Sequence, residues 1–165
     1  CNESENSFLA TDSGGGVYLM KVSEDRVNVE ARMSLGETVT GILPWRPVNQ
    51  DILNNCGIFS AVSSRGSIVA FLTRIDQKLF GSMEKLQKAM ESYMIQNGEL
   101  SHSTYRCIYS PAYKESYVGY VDANFLSGIL EFEEEDRNKL IADNGIDNFD
   151  AIYEFLGLLE ELNIQ

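Results

Sequence analysis

Residues 57–96, GIFSAVSSRGSIVAFLTRIDQKLFGSMEKLQKAMESYMIQ, contain the change of pattern that decides the fold. In the first half, two runs rich in β-branched and aromatic residues flank the turn Arg65-Gly66, which is typical of a β-hairpin. From Asp76 onward, apolar residues recur at spacings of three and four, as on one face of a helix. We therefore predict that strands give way at Asp76 to an amphipathic helix that ends before Gly98.

The rest of the chain continues these two patterns. Upstream, four more short runs have the composition of strands and are separated by turns: SFLATD, VYLMKV, VNVEARMSL and ETVTGIL. Downstream, three segments predict helices, DANFLSGILEF, EEEDRNKLIAD and FDAIYEFLGLLEELNI, with Asp122 and Asn148 as the N-caps of the first and the last. Short, closely spaced strands favour a sandwich or propeller blades, so we predict blades over residues 1–75 and a small helical domain over 76–165.

The composition is that of a globular chain in a reducing compartment. Of the 165 residues, 44% are hydrophobic and 23% are charged, which is enough for a buried core. The three cysteines, Cys1, Cys56 and Cys107, are widely spaced and form no CxxC pair, which argues against a disulfide framework and a zinc site. The start, CNESENS, lacks the features of a signal peptide, so we expect a fragment of a longer cytosolic or nuclear protein without a membrane segment.

Negative charge is concentrated at the end of the sequence. The formal net charge is -12. Residues 131–165 contain eleven acidic side chains against Arg137 and Lys139, which makes a net of -9 for this segment. Because such a surface repels phosphate backbones, we expect no direct nucleic-acid contact by this chain, although the segment could meet a basic partner.

The single histidine, His102, lies in the stretch GELSHSTYR, residues 98–106. Serines on both sides invite a hydrolase interpretation, in which His102 would be the base of a nucleophile. Such a site also needs an orienting carboxylate and a shaped nucleophile turn, and no G-x-S-x-G or similar motif is present. We therefore interpret His102 as architectural. The hydrolase alternative requires that His102→Ala abolishes a catalytic turnover and leaves the stability of the protein unchanged.

Three other stretches imitate functional motifs and are better explained by structure. TDSGGGVY lacks the lysine of a phosphate loop, and a hairpin turn accounts for its glycines. DNGIDNFDAIYE resembles a calcium loop but has Gly145 and Asn148 where a ligand and a glycine are required. The run EFEEED is typical of a solvated helix start, where negative charge is favourable. We predict no metal, cofactor or catalytic residue.

Trp45, in LPWRP, lies between two prolines in what we predict to be the longest loop of the strand half. A tryptophan in such a loop can be a hot spot for a protein partner. It can equally be a plug that packs against the strands. The sequence leaves both interpretations open.

Two blocks of the sequence resemble the C-terminal region of a family of large multi-propeller scaffolds. That family includes the large subunit of the damaged-DNA-binding factor, a splicing-factor subunit, and the largest subunit of the cleavage and polyadenylation specificity factor. The first block is a glycine after a long helix, followed by His-Ser, an aromatic residue and arginine; the second is glycine, two apolar residues, aspartate and a helix start. The matching residues are Gly98, His102, Ser103, Tyr105 and Arg106, then Gly119, Tyr120, Val121, Asp122, Phe125, Leu126 and Leu130.

Within that family the sequence resembles most closely the adaptor branch of the cullin-RING ubiquitin ligases, including divergent relatives in genome maintenance and heterochromatin silencing. The resemblance implies a nuclear, non-catalytic scaffold whose parent chain binds a cullin and propeller-type substrate receptors. It also implies a propeller for the strand half. The residues that it implies to hold the helical domain in place are Gly98, His102, Tyr105, Arg106, Gly119 and Asp122. The alternative is a structural subunit of a splicing or 3′-end processing complex.

Overall fold

The computed structural model of the chain describes residues 6–45, 56–102 and 117–163. Strands come first and helices follow, so the predicted order, β and then α, is confirmed. The chain divides into two compact units, one that contains the strands and one that contains the helices. Each unit is described by itself below. The domain boundary predicted at residue 75 stays a prediction.

The strand unit contains two antiparallel sheets. The first has the order β1-β2-β3-β7 and the second the order β4-β5-β6. Their bounds are β1 Asn6–Thr11, β2 Gly16–Ser23, β3 Arg26–Ser34, β4 Val39–Trp45, β5 Gly57–Ser63, β6 Ile68–Thr73 and β7 Tyr117–Val118. The short β7, which comes from the helical half of the sequence, pairs with the end of β3 at Arg32 and Met33.

The glycine-rich turn between β1 and β2 is organised by Asp12. Its Oδ1 accepts hydrogen bonds from the amides of Gly14 and Gly16, both at 2.8 Å. Its Oδ2 accepts a hydrogen bond of 2.6 Å from the Tyr18 hydroxyl. Gly15 has a φ of 85°, which side chains rarely adopt, and a Cβ there would collide with the backbone of Glu37. The triple glycine therefore forms the predicted hairpin turn.

Trp45 is the last residue of β4, so its predicted place within a loop is wrong, while residues 46–55 lie outside the described residues. Pro44 and Trp45 lie opposite Phe59 and Ile58 in the ladder with β5. A proline fits here because β4 is an edge strand, where one side of the backbone needs no amide donor. Pro44 was therefore misread as a loop signal.

The helical unit begins with α1, Gln77–Gln96, whose N-cap is the predicted Asp76. The carboxylate of Asp76 accepts hydrogen bonds from the amides of Lys78 and Leu79, at 3.0 and 2.9 Å. The remaining elements are α2 Ala123–Ser127, a 3-10 helix Gly128–Glu131, α3 Glu134–Asp143 and α4 Phe149–Asn163. Asn148, predicted as a cap, precedes α4 in a left-handed conformation with a φ of 60°.

The core of the helical unit is built from the apolar stripe of α1 and the inner faces of the later helices. Deep burial of these side chains is the main stabilising contribution in this unit. The buried apolar residues are Met83, Leu86, Ala89, Met90, Phe125, Leu126, Ile129, Leu140, Ile146, Ile152, Phe155, Leu156 and Leu159. In addition, the rings of Tyr93 and Phe132 pack with centroids 5.1 Å apart. Four polar residues of this unit are also buried, Ser82, Gln87, His102 and Asp122, and the last three form the candidate site.

Candidate functional site

The candidate site is a buried polar cluster in the helical unit, made by Gln87, His102 and Asp122. The exposed fractions of these residues are 0%, 0% and 4%. Polar side chains so deeply buried are costly unless they are hydrogen-bonded, so their partners define what the cluster does. Both His102 and Asp122 were singled out in the sequence, whereas Gln87 was not.

One carboxylate serves two purposes at the centre of the cluster. Oδ2 of Asp122 lies 2.8 Å from Nε2 of His102, with both side chains buried. Oδ1 of the same carboxylate accepts a hydrogen bond of 3.2 Å from the amide of Phe125, which makes Asp122 the N-cap of α2. The pair therefore joins the segment after α1 to the first turn of α2.

Helix α1 supplies an acceptor to each of these two segments. Oε1 of Gln87 accepts a hydrogen bond of 2.6 Å from the amide of Asp122. Oε1 of Glu91 accepts a hydrogen bond of 3.2 Å from the amide of His102. Residues four apart lie on the same face of a helix, so Gln87 and Glu91 point to the same side of α1. Through them α1 fixes the backbone on both sides of the pair.

The imidazole of His102 is enclosed as well as hydrogen-bonded. Its ring meets the ring of Phe125 edge to face, with centroids 4.7 Å apart and an angle of 62° between the planes. Such T-shaped contacts add to the stabilisation that comes from burial alone. An imidazole with no exposed surface meets a solvent-borne substrate only after the cluster opens. The arrangement is therefore suited to packing and hydrogen bonding.

The other residues that the family resemblance implies to be bracing residues lie outside the buried polar cluster or outside the described residues. Gly98 ends α1 with a φ of 77°, and the amides of Gly98 and Glu99 donate hydrogen bonds to Ile95 and Met94, as in a Schellman motif. Gly119 belongs to the strand unit and has a φ of 64°. Tyr105 and Arg106 lie outside the described residues, and so does the side chain of Trp45.

Gly119 is required where it stands because its backbone approaches β3 closely. A Cβ placed on it would lie 2.3 Å from the carbonyl oxygen of Glu30, far inside van der Waals contact. Its φ is also one that other residues adopt only with strain. The sequence block that includes Gly119 and Asp122 thus has its glycine against β3 and its aspartate in the polar cluster.

Comparison with known families identifies the chain. Residues 2–131 match the family model described as the CPSF A subunit region. The chain belongs to this family. The match includes every described strand, α1, α2, and both His102 and Asp122, and it ends at the 3-10 helix before α3. Members of the CPSF A subunit region family are generally scaffold subunits of multiprotein complexes. No curated protein matches the chain.

The sequence analysis did not identify Gln87 and Glu91 as members of the site. The signal for Gln87 was present, because it lies on the same stripe of α1 as Met83, Leu86 and Met90. A glutamine on an apolar stripe is a buried polar residue that needs a partner. Its partner, the amide of Asp122, is thirty-five residues away in sequence, and local patterns do not carry such a pairing.

Within residues 6–45, 56–102 and 117–163, no group of three or more histidine, cysteine, aspartate or glutamate side chains is placed to hold a metal ion. No described helix of this CPSF A region chain is long and apolar enough to cross a membrane. Cys56 is half-buried, and this burial raises the pKa of its thiol above the ordinary value.

Proposed function

We propose that this chain is the C-terminal part of a nuclear, non-catalytic adaptor in a cullin-RING ubiquitin ligase. The adaptor acts by assembling partners: a cullin, bound by the rest of the parent chain, and propeller-type receptors that bring substrates in DNA repair, genome maintenance or heterochromatin. Membership in a family of scaffolds supports this class of function. The choice of branch rests on the resemblance of the two blocks around His102 and Asp122.

One observation carries the scaffold interpretation: one polar residue of each block, His102 of the first and Asp122 of the second, meets the other inside a core. His102 and Asp122 are twenty residues apart in sequence and form a buried pair at 2.8 Å. A catalytic histidine must meet its substrate, and proton transfer requires hydrogen-bond distance. A bracing histidine instead gains from burial, a carboxylate partner and a ring contact, all of which His102 has.

The exposed face of the first sheet supports the proposal that the strand unit is part of a propeller. The register of β1, β2 and β3 places Phe8, Val22, Val27 and Val29 on the same face. Their exposed fractions are 43%, 39%, 57% and 52%. Several large apolar side chains on one sheet face are typical of a surface that another element covers. A neighbouring blade of the parent protein would supply that cover.

The acidic charge of the last part of the sequence favours protein partners over nucleic acid. Residues 131–165 have a net charge of -9, from eleven acidic residues against Arg137 and Lys139. The first turn of α3 alone contains Glu134, Glu135 and Asp136. Such a surface repels nucleic acid, so contacts of this segment are with proteins. The family description also includes the CPSF A subunit, which supports the alternative of a structural subunit in a splicing or 3′-end processing complex.

The test is affinity capture of the full-length protein from nuclear extract, followed by mass spectrometry of the proteins that co-purify. A cullin with its RING partner and propeller-type receptors is the expected result. Splicing or polyadenylation subunits without any cullin would move the protein to the alternative. An Asp143→Asn variant, altered at an exposed position of α3, is the matched control, since it should capture the same partners as the wild type.

A further inference from the structure

The two sheets of the strand unit are linked by a short connector, residues 35–38, which leads from the end of β3 to the start of β4. In the part of the chain that the structure describes, strand pairing does not join the two sheets, so their mutual position depends on other contacts. The turn between β1 and β2 belongs to the first sheet, and the turn between β5 and β6 belongs to the second. Both turns form hydrogen bonds with the connector.

The first sheet holds the connector through the glycine-rich turn between β1 and β2. The amide of Leu35 donates a hydrogen bond of 2.9 Å to the carbonyl oxygen of Gly15. The hydroxyl of Thr38 donates a hydrogen bond of 3.0 Å to the carbonyl oxygen of Ser13. Because Gly15 has no Cβ, its backbone can lie directly against the backbone of Glu37. The first and the last residue of the connector are therefore both bound to this turn.

The second sheet holds the connector through the side chain of Glu37. Oε2 of Glu37 accepts hydrogen bonds from the hydroxyl groups of Ser63 and Ser67, the latter at 3.3 Å. The Ser63 hydroxyl in turn accepts hydrogen bonds from the amides of Arg65 and Ser67, at 3.2 and 3.1 Å. Ser63 is only 5% exposed, and a hydroxyl so deeply buried depends on its hydrogen-bond partners. The Glu37 carboxylate therefore orients the hydroxyl that shapes the turn between β5 and β6.

We propose that Glu37 is the positioning residue of the joint between the two sheets. Its carboxylate keeps the connector on the turn between β5 and β6, and this contact also keeps the connector on the turn between β1 and β2. Hydrogen bonds to an ionised acceptor are roughly twice as strong as those between neutral groups, which suits a carboxylate to this role. The inference goes beyond the proposed function and holds whichever complex the protein serves.

Thr38 explains why the two sides of the connector respond together. Its hydroxyl donates to the Ser13 carbonyl oxygen in one turn, while its own carbonyl oxygen accepts a hydrogen bond of 2.8 Å from the amide of Ser64 in the other. A shift of this one residue therefore weakens both contacts. Because Glu37 directly precedes Thr38, loss of the Glu37 contacts releases the backbone where both turns are held. Coupling of this kind is reciprocal, so loss of the Thr38 hydroxyl must also loosen the turn between β5 and β6.

Hydrogen–deuterium exchange at the resolution of single amides, on the full-length protein, tests this role. In Glu37→Ala we expect the amides of Ser64 and Leu35, on opposite sides of the connector, to exchange about tenfold faster. Glu37→Gln keeps an acceptor oxygen, so its exchange rates should lie between those of Glu37→Ala and the wild type. Glu24→Ala, in the exposed turn between β2 and β3, is the matched control and should leave both amides at the wild-type rate.

Thr38→Val tests the joint from the side of the first sheet, because it removes the hydroxyl and nearly keeps the shape of the side chain. It should accelerate exchange of the Ser64 amide about threefold. In Glu37→Ala, an unchanged Leu35 amide would overturn the proposal, and so would a Glu37→Gln variant that exchanges as fast as Glu37→Ala. If Glu37→Ala unfolds the strand unit, a wild-type rate at Ser64 in Thr38→Val overturns it instead. No partner is needed, so these outcomes are independent of the capture experiment.

Discussion

His102 and Asp122, twenty residues apart in sequence, meet 2.8 Å apart within the core of the helical unit. Neither side chain has more than 3% of its surface exposed. Pairs of this kind are costly to break, because removal of one side chain takes a hydrogen bond from the other in the interior of the protein. The pair is therefore a structural centre whose loss should be visible in stability before it is visible in any binding assay.

Removal of the carboxylate should destabilise the protein strongly. We expect Asp122→Ala to lower the free energy of unfolding by about 3 kcal/mol, because it breaks the buried pair and removes the cap of α2. Asp143→Ala, at an exposed position, should change it by less than about 0.5 kcal/mol. Urea denaturation followed by circular dichroism gives both values. Equal effects of the two variants would show that the Asp122 contacts contribute little.

The two glycines of the family-like blocks provide a matched comparison. Both have a positive φ, 77° at Gly98 and 64° at Gly119, but only Gly119 lacks space for a Cβ. We expect Gly98→Ala to cost about 1 kcal/mol, the ordinary penalty of this conformation. Gly119→Ala should cost at least about 1 kcal/mol more, since the backbone of β3 must also move. Thermal unfolding of the two variants decides this order, and an equal cost would contradict the close packing against Glu30.

Gln87 should contribute measurably to the free energy of unfolding through its hydrogen bond to the Asp122 amide. Its Oε1 accepts from the Asp122 amide, while among the described residues its Nε2 has no hydrogen-bond acceptor. Gln87→Leu leaves the Asp122 amide without its acceptor, so we expect a loss of about 1–2 kcal/mol despite the gain in apolar surface. Gln96→Leu, near the exposed end of α1, is the control and should be close to neutral. A stabilised Gln87→Leu would mean that the polar contact is dispensable.

Burial raises the pKa of the Cys56 thiol above its ordinary value of 9.0, with a pH-dependent consequence. The protonated thiol is favoured in the folded state. The stability that this preference contributes is therefore fully present below the ordinary pKa of the thiol, and it is lost as the pH rises through the raised pKa of the folded state. Alkylation by iodoacetamide near pH 8 should therefore be slower at Cys56 in the folded than in the denatured protein, because the thiolate reacts. Peptide mass spectrometry measures both rates, and equal rates would contradict the shift.

The hydrolase alternative for His102 makes an opposite prediction to the bracing role. A catalytic base predicts that His102→Ala removes a turnover while the melting temperature stays constant. A brace predicts a lower melting temperature, by roughly 4–8 °C for each kcal/mol lost in a domain of 60–100 residues. Differential scanning calorimetry of the variant distinguishes the two. A melting temperature equal to that of the wild type would contradict the bracing role.

The sequence allowed prediction of what is local. The spacing of apolar residues after Asp76 predicted α1 with its cap, because residues three and four apart in sequence lie on the same face of a helix. The composition of six short runs predicted the strands. By contrast, β7 has two residues and no periodicity to detect. The strand at Trp45 was missed because prolines signal loops except at a sheet edge.

The sequence indicated two residues of the candidate site, His102 and Asp122, but it did not indicate how they are arranged. His102 and Asp122 were recognised in separate blocks, and nothing local indicated that one contacts the other. The contact depends on α1, whose Gln87 and Glu91 hold the two backbone segments. Such pairings follow from tertiary packing, which joins residues far apart in sequence. The contacts of Tyr105 and Arg106 lie outside the described residues, so their bracing roles remain predictions.

A double-mutant cycle of His102 and Asp122 tests the bracing role most directly. Unfolding free energies are measured for His102→Ala, Asp122→Asn and the double variant. If the pair braces the helical unit, the two losses are not additive, and the coupling energy is at least about 1 kcal/mol. Losses that add to within about 0.5 kcal/mol would show that the two side chains stabilise the fold independently, which contradicts the role proposed for the pair.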